Sequence, residues 1–197
     1  MSRKAFTRLA APLIHLPEPD LDTDQIIPAR FLTTTRREGL GPFLFYDRRY
    51  GTDGTPRPDF PLRPLERHGC AFLLAGHNFG CGSSREHAVW ALLEAGVRAV
   101  ISTRLADIFR GNALRNGLLA IELPPAQVLR LARCAGQEVL IDLLEREMRL
   151  PDGERIPFAI DPFARYAMLR GADELDLLLE LIPEIERHER EREAEHA

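Results

Sequence analysis

Cys70-Ala71-Phe72-Leu73-Leu74-Ala75-Gly76-His77-Asn78-Phe79-Gly80-Cys81-Gly82-Ser83-Ser84-Arg85-Glu86-His87-Ala88-Val89-Trp90-Ala91-Leu92-Leu93-Glu94-Ala95-Gly96 reads as a strand, a polar turn and a helix. Cys70 to Ala75 is short and apolar, as a buried strand is, and Val89 to Ala95 reads as a helix closing at Gly96. The polar residues between them sit where free backbone N–H groups point outward and attract anions. Gly80 and Gly82 let that backbone bend tightly and come close to a ligand. Two hydroxyls, a guanidinium and an imidazole gather at one helix entrance, a candidate site for a carboxylate or a phosphate. The spacing of Ser83 and Glu86 also fits a plain capping box, and on spacing alone both readings stand. The stretch is not a phosphate-binding P-loop, because no Gly-Lys-Ser/Thr follows, nor a nucleophile elbow, because Gly82 to Glu86 lacks the second glycine.

Working outward, residues 70–123 alternate strand, helix, strand, helix, strand. Val97 to Ser102 is rich in β-branched residues; Leu105, Ile108, Phe109 and Ala113 mark the inner face of a helix ending at Gly117; Leu118 to Leu123 is the next strand. This rhythm predicts an α/β protein with a partly parallel sheet covered by helices. Upstream, Phe6 to Leu16 reads as a strand. Asp20, Asp22 and Asp24 form an acidic cluster that fits a turn or cap, or a metal loop, but lacks the Gly and Glu of a Ca²⁺ loop. Thr33 to Arg37 is a polar connection able to close over an anion site. Downstream come a helix opened by Pro124-Pro125, strands over 139–150 and 156–160, a helix ending at Gly171, and a leucine-rich segment interrupted by Pro183. A charged tail of Glu, Arg and His ends the chain. The expected organisation is one domain over residues 1–185 and a tail over 186–197.

Composition narrows the function. The 197 residues are 45% hydrophobic, enough for a substantial core, and a formal charge of −4 with scattered arginines gives no case for nucleic acid. Cys70, Cys81 and Cys134 are odd in number and not paired at Cys-x-x-Cys spacing, so they read as reduced thiols. Their spacing offers no support for a cluster or metal held by this chain. No apolar run is long enough to span a membrane and no signal-peptide core is visible, so a soluble, cytoplasmic protein is expected.

Asn78-Phe79-Gly80-Cys81-Gly82-Ser83-Ser84-Arg85-Glu86-His87-Ala88 resembles the signature of the aconitase-type swivelling domains, and Asp22-Thr23-Asp24-Gln25-Ile26-Ile27-Pro28-Ala29-Arg30-Phe31-Leu32 their opening motif. With Phe43 to Asp47, Ala106 to Ala113 and Asn116 to Leu119, the chain is similar over about residues 1 to 185 to the small-subunit family of the 3-isopropylmalate dehydratases, or isopropylmalate isomerases. Val89, where a proline is usual, and Asp173 to Leu179 depart from the family pattern.

The resemblance implies a swivelling β/β/α three-layer domain and one half of a split hydro-lyase of leucine biosynthesis. It implies a large-subunit partner that holds a [4Fe–4S] cluster, none being bound by this chain, and a small dicarboxylate substrate. The implied reaction isomerises 2-isopropylmalate to 3-isopropylmalate by dehydration and rehydration through 2-isopropylmaleate. Ser83 is implied as the catalytic base and Asp24 as the acid supporting it. Ser84 and Arg85 would bind a substrate carboxylate, with Arg36 or Arg37 supplying a second contact. Related hydro-lyases acting on homocitrate, citramalate or dimethylmalate remain open. So do a non-catalytic binding protein on this fold and a hydrolase using Ser83 and His87, which adjacent helix positions orient poorly.

Overall fold

The computed structural model describes residues 5–32 and 37–195. Among the described residues seven strands form a single sheet in the order β4-β3-β2-β1-β5-β6-β7. They are β1 (Arg8–Leu16), β2 (Ala71–Ala75), β3 (Val97–Ser102), β4 (Leu119–Glu122), β5 (Glu138–Asp142), β6 (Glu147–Arg149) and β7 (Arg155–Pro157). The helices are α1 (Thr23–Ile26), α2 (Tyr46–Arg49), α3 (Arg63–His68), α4 (Glu86–Ala95), α5 (Asp107–Asn116), α6 (Pro125–Ala132), α7 (Pro162–Arg170) and α8 (Glu174–Glu195). The partly parallel α/β sheet read from the sequence is what forms.

β1 changes partner along its length. Its first half pairs antiparallel with β5, Leu9 opposite Ile141, and its second half pairs parallel with β2, Leu13 opposite Phe72. β2, β3 and β4 continue in parallel, while β5, β6 and β7 form an antiparallel meander. Because strand side chains alternate between faces, neighbouring residues enter different cores. Ile14, Leu73, Val100 and Ala120 pack with Val89 and Leu92 of α4 and Phe109 of α5. Leu13, Phe72, Ala99 and Leu119 pack with Leu131 of α6, Met168 of α7, and Ile141 and Met148 of the meander. Both faces are covered, as a parallel sheet requires.

Helix ends follow the sequence signals. Gly96, Gly117 and Gly171 take left-handed conformations just past α4, α5 and α7. Two local expectations fail. Ile108, placed on the inner face of α5, is 56% exposed. It lies in the first turn, where Phe109 takes the inward position and packs edge-on against Phe79, ring centroids 5.3 Å apart. The interruption at Pro183 also fails, since α8 passes through it. A proline removes one N–H from the ladder without forbidding the turns on either side.

Asp142 anchors the antiparallel half. Its side chain is fully buried and accepts from Arg8 Nε at 2.8 Å and from the backbone N–H groups of Leu144 at 3.0 Å and Glu145 at 3.1 Å. Burial pushes the carboxyl up, but the bonds to Glu145, Arg8 and Leu144 outweigh it and hold it below the ordinary aspartate value. A depressed native value means stability that is present above the ordinary value of about 3.9 and lost as pH falls through the native one. Asp142→Ala is therefore expected to cost about 2–4 kcal/mol at neutral pH. In thermal melts the gap between wild type and variant should close as pH is lowered below 4.

Candidate active site

The loops that leave the C-terminal ends of β1, β2 and β3 are stitched into one surface, the end of a parallel sheet where ligands bind. Asp20 N–H donates to the His77 carbonyl at 2.8 Å, Gly80 N–H to the Leu21 carbonyl at 2.7 Å, and Thr23 N–H to the Cys81 carbonyl at 3.0 Å. Ala106 N–H donates to the Phe79 carbonyl at 3.0 Å, which brings in the loop after β3. Gly80 is the residue this stitching demands. Its φ is +78° and a Cβ there would stand 2.3 Å from Phe109 Cγ, so only glycine fits.

The acidic cluster resolves into turn and cap chemistry. Asp22 caps α1, its Oδ1 accepting from Gln25 N–H at 2.8 Å, and Asp20 accepts from Asn78 Nδ2 at 2.7 Å. Asp24 is left for a different task. It accepts from the Arg85 guanidinium across 61 residues of sequence, and this bond holds its carboxyl below the usual carboxylate range. Asp24 is therefore an anion at neutral pH and a partner of Arg85.

Ser83 does not cap α4. The helix starts at Glu86 with Arg85 as N-cap, and Arg85 makes no side-chain capping bond. The Glu86 carboxylate turns instead to Asn116 Nδ2, 2.6 Å away. Among the described residues the Ser83 and Ser84 hydroxyls have no hydrogen-bond partner. Both side chains border a cleft of about 220 Å³, together with Thr23, Arg85, Ile108 and Asn112. The Thr23 hydroxyl, buried, donates to the Ser83 carbonyl at 3.0 Å and fixes the backbone that carries Ser83.

The structure thus brings Ser83, Ser84, Arg85 and Asp24 to one helix entrance. Arg36 lies outside the described residues. Arg37 stacks its guanidinium 5.4 Å from the centre of the Trp90 ring on α4. The Glu94 carboxylate accepts the N–H groups of Gly39, Leu40 and Gly41 at 2.6–2.8 Å, which ties the chain beyond Arg37 to the same helix. Glu94 carries no sequence signal that singles it out, because its role depends on a segment distant in the chain. Thr23 and Asn112 lie in the motifs quoted above, but only the fold brings them to this cleft.

A larger cavity of about 410 Å³ lies at the opposite end of the parallel strands, among Phe6, Leu9, Leu114 and Met168. Its guanidiniums are engaged, Arg8 with Asp142 and Arg98 with the Leu93 carbonyl, so the smaller polar cleft is the better place for chemistry.

The cysteines do not fit an iron–sulfur cluster. Cys70 and Cys81 flank opposite ends of β2, and Cys134 follows α6. Burial pushes the Cys81 thiol up, followed by the charges of Asp22 and Asp20, which opposes the thiolate a cluster needs. Among the described residues no three His, Cys, Asp or Glu side chains converge as a metal set, and no helix is long and apolar enough to cross a membrane.

Comparison with known proteins gives consistent matches. Residues 6–126 match the model of the aconitase C-terminal domain. The 3-isopropylmalate dehydratase small subunit of Anaeromyxobacter dehalogenans (strain 2CP-C) is 58% identical over 164 residues, 83% of this chain and 86% of that one. The protein of the same name from Roseiflexus sp. (strain RS-1) is 47% identical, covering 92% and 91%. Among solved structures, 3-isopropylmalate dehydratase from Methanocaldococcus jannaschii aligns with a TM-score of 0.69 at 28% identity, over 92% of this chain and 99% of that one.

Proposed function

The chain belongs to the aconitase C-terminal-domain family and, within it, to the 3-isopropylmalate dehydratase small subunits; from that premise we propose that Ser83, Ser84, Arg85 and Asp24 are its share of the active site. The chain serves as a small subunit of this hydro-lyase in leucine biosynthesis and acts with a large subunit. The observation that carries the site assignment is the pair of free serine hydroxyls beside the Arg85–Asp24 ion pair at the entrance of α4.

The reaction removes a proton from carbon next to a carboxylate, so negative charge builds on that carboxylate. Arg85, bonded to ionised Asp24 at the positive end of α4, meets the carboxylate with positive charge. Ser84 adds a hydrogen bond. Ser83 Oγ, reacting as the alkoxide, takes the C–H proton as the hydroxyl leaves the neighbouring carbon, giving 2-isopropylmaleate. Addition of the released hydroxide to the carbon that lost its proton, as Ser83 Oγ–H returns that proton to the other carbon, yields 3-isopropylmalate and restores the alkoxide. A serine hydroxyl is far from ionised at neutral pH, so the cationic surroundings of the closed site must favour the alkoxide. The [4Fe–4S] cluster of this enzyme class belongs to the large subunit, which is also where the finer partnership lies. Residues 1–185 act as the swivelling domain, 186–197 are an added charged segment, and the assembled enzyme works in the cytoplasm.

One of Arg36 and Arg37 supplies the second carboxylate contact. Replacing the contacting arginine by alanine should raise KM for the dicarboxylate about tenfold or more with little change in kcat, the other substitution having no effect. Steady-state kinetics on both variants separates them, and two unchanged KM values would rule the contact out. The reading as a whole is tested by anaerobic capture of this chain's native partner, with 2-isopropylmalate, homocitrate and citramalate as substrates. Capture of an iron–sulfur large subunit and preference for 2-isopropylmalate are expected. Preference for another substrate would keep the chemistry and move the pathway.

A further inference from the structure

The cleft beside Ser83 has a second wall, the start of α5, and Asn112 is the buried polar residue in it. Asn112 is 5% exposed and lines the cleft with Ser83, Ser84 and Arg85. Its Oδ1 accepts a hydrogen bond from Arg115 Nη2 at 2.6 Å. A guanidinium has donors only, so this contact fixes the amide: Oδ1 toward Arg115 and Nδ2 away from it. Nδ2 has no partner among the described residues, yet it is not sealed from solvent. With so little of the residue exposed, that opening is the cleft it lines. A donor that opens only onto the cleft is free to bond an acceptor held there.

The wall also holds its distance from the entrance of α4. Asn116, one turn on, accepts from Trp90 Nε1 at 3.1 Å and donates through Nδ2 to Glu86 at 2.6 Å and to the Asn112 carbonyl at 2.9 Å. These bonds clamp α5 to α4, which opens just after the serine pair.

We propose that Asn112 is a substrate-binding residue whose Nδ2 donates a hydrogen bond to a carboxylate oxygen of the dicarboxylate, with Arg115 as the positioning residue that orients the amide. This assignment rests on the active-site reading above. It places donors on both sides of the cleft, the guanidinium and helix start of α4 on one and a neutral, geometrically fixed amide on the other. A neutral donor there leaves the charge balance of the Arg85–Asp24 pair undisturbed.

Asn112→Asp tests it in the complex with the large subunit. The substitution keeps the size and the bond to Arg115 but presents an acceptor where the donor was. KM is expected to rise about 10- to 100-fold, with a smaller effect on kcat, for whichever of 2-isopropylmalate, homocitrate and citramalate is turned over. Arg115→Met, at an exposed position, should raise KM less by freeing the amide to rotate, and Arg115→Lys should restore it. A purely structural role would not give that rescue in KM. If Asn112→Asp fails to assemble, the Arg115 pair decides: a KM rise relieved by lysine supports the assignment, and an unchanged KM overturns it. An assembled Asn112→Asp complex with wild-type KM overturns Asn112 alone and leaves the Ser83 reading standing. A wild-type complex that turns over none of the three substrates overturns both.

Discussion

Ser83→Ala is expected to lower kcat of the assembled enzyme by about 10²- to 10⁴-fold, the range for losing a positioned proton acceptor. The same variant should melt as wild type does. The Ser83 hydroxyl has no hydrogen-bond partner among the described residues, and α4 opens at Arg85 without it, so its removal should change stability by no more than about 0.5 kcal/mol. A serine serving only as a helix cap predicts the opposite: about 1 kcal/mol of stability lost and turnover retained. Kinetics and melting on one variant therefore distinguish the two roles. The protein fold supports the first, because the Glu86 side chain that a capping box needs is bound to Asn116.

Arg85 carries the second large effect. Its guanidinium pairs with Asp24 and faces the cleft, so in the proposed site it has two anions to satisfy, one of the protein and one of the substrate. A planar fork with several donors can do both, whereas an ammonium is a point charge on a flexible stem. Arg85→Lys is thus expected to reduce kcat/KM by about 10²- to 10³-fold, as removal of a preorganised charge-stabilising group does. Asp24→Asn keeps the shape and releases the guanidinium, and its loss should be smaller and fall mainly on KM. Wild-type kcat/KM in Arg85→Lys would show that charge alone suffices there.

Much of this arrangement was legible in the chain. β3 has the bounds that its β-branched run implies, and Gly96, Gly117 and Gly171 stop helices where their positions say they should. These are local signals set by side-chain shape and backbone freedom. What sequence could not convey is what distant segments do to each other. The switch of β1 from an antiparallel to a parallel partner depends on β5, more than 120 residues away. The Arg85–Asp24 pair and the Thr23 bond to Ser83 come from two loops, about 60 residues apart in the chain, that the sheet brings side by side. Ile108 fitted the inward spacing of α5, and only the packing of Phe109 against Phe79 turned it out to the cleft. Asn112 lies within the quoted Ala106 to Ala113 stretch, but the direction of its amide, set by Arg115, is seen only in the fold.

The central claim is that this chain contributes the proton acceptor to an enzyme completed by a large subunit. The most direct measurement is ultraviolet absorbance of the unsaturated intermediate formed from 2-isopropylmalate, recorded anaerobically for the purified chain, for the large subunit and for the two together. Absorbance should rise only in the mixture, and replacing Ser83 by alanine should slow that rise about 10²- to 10⁴-fold. Turnover by either chain alone, or by the mixture containing Ser83→Ala at the wild-type rate, would contradict the account.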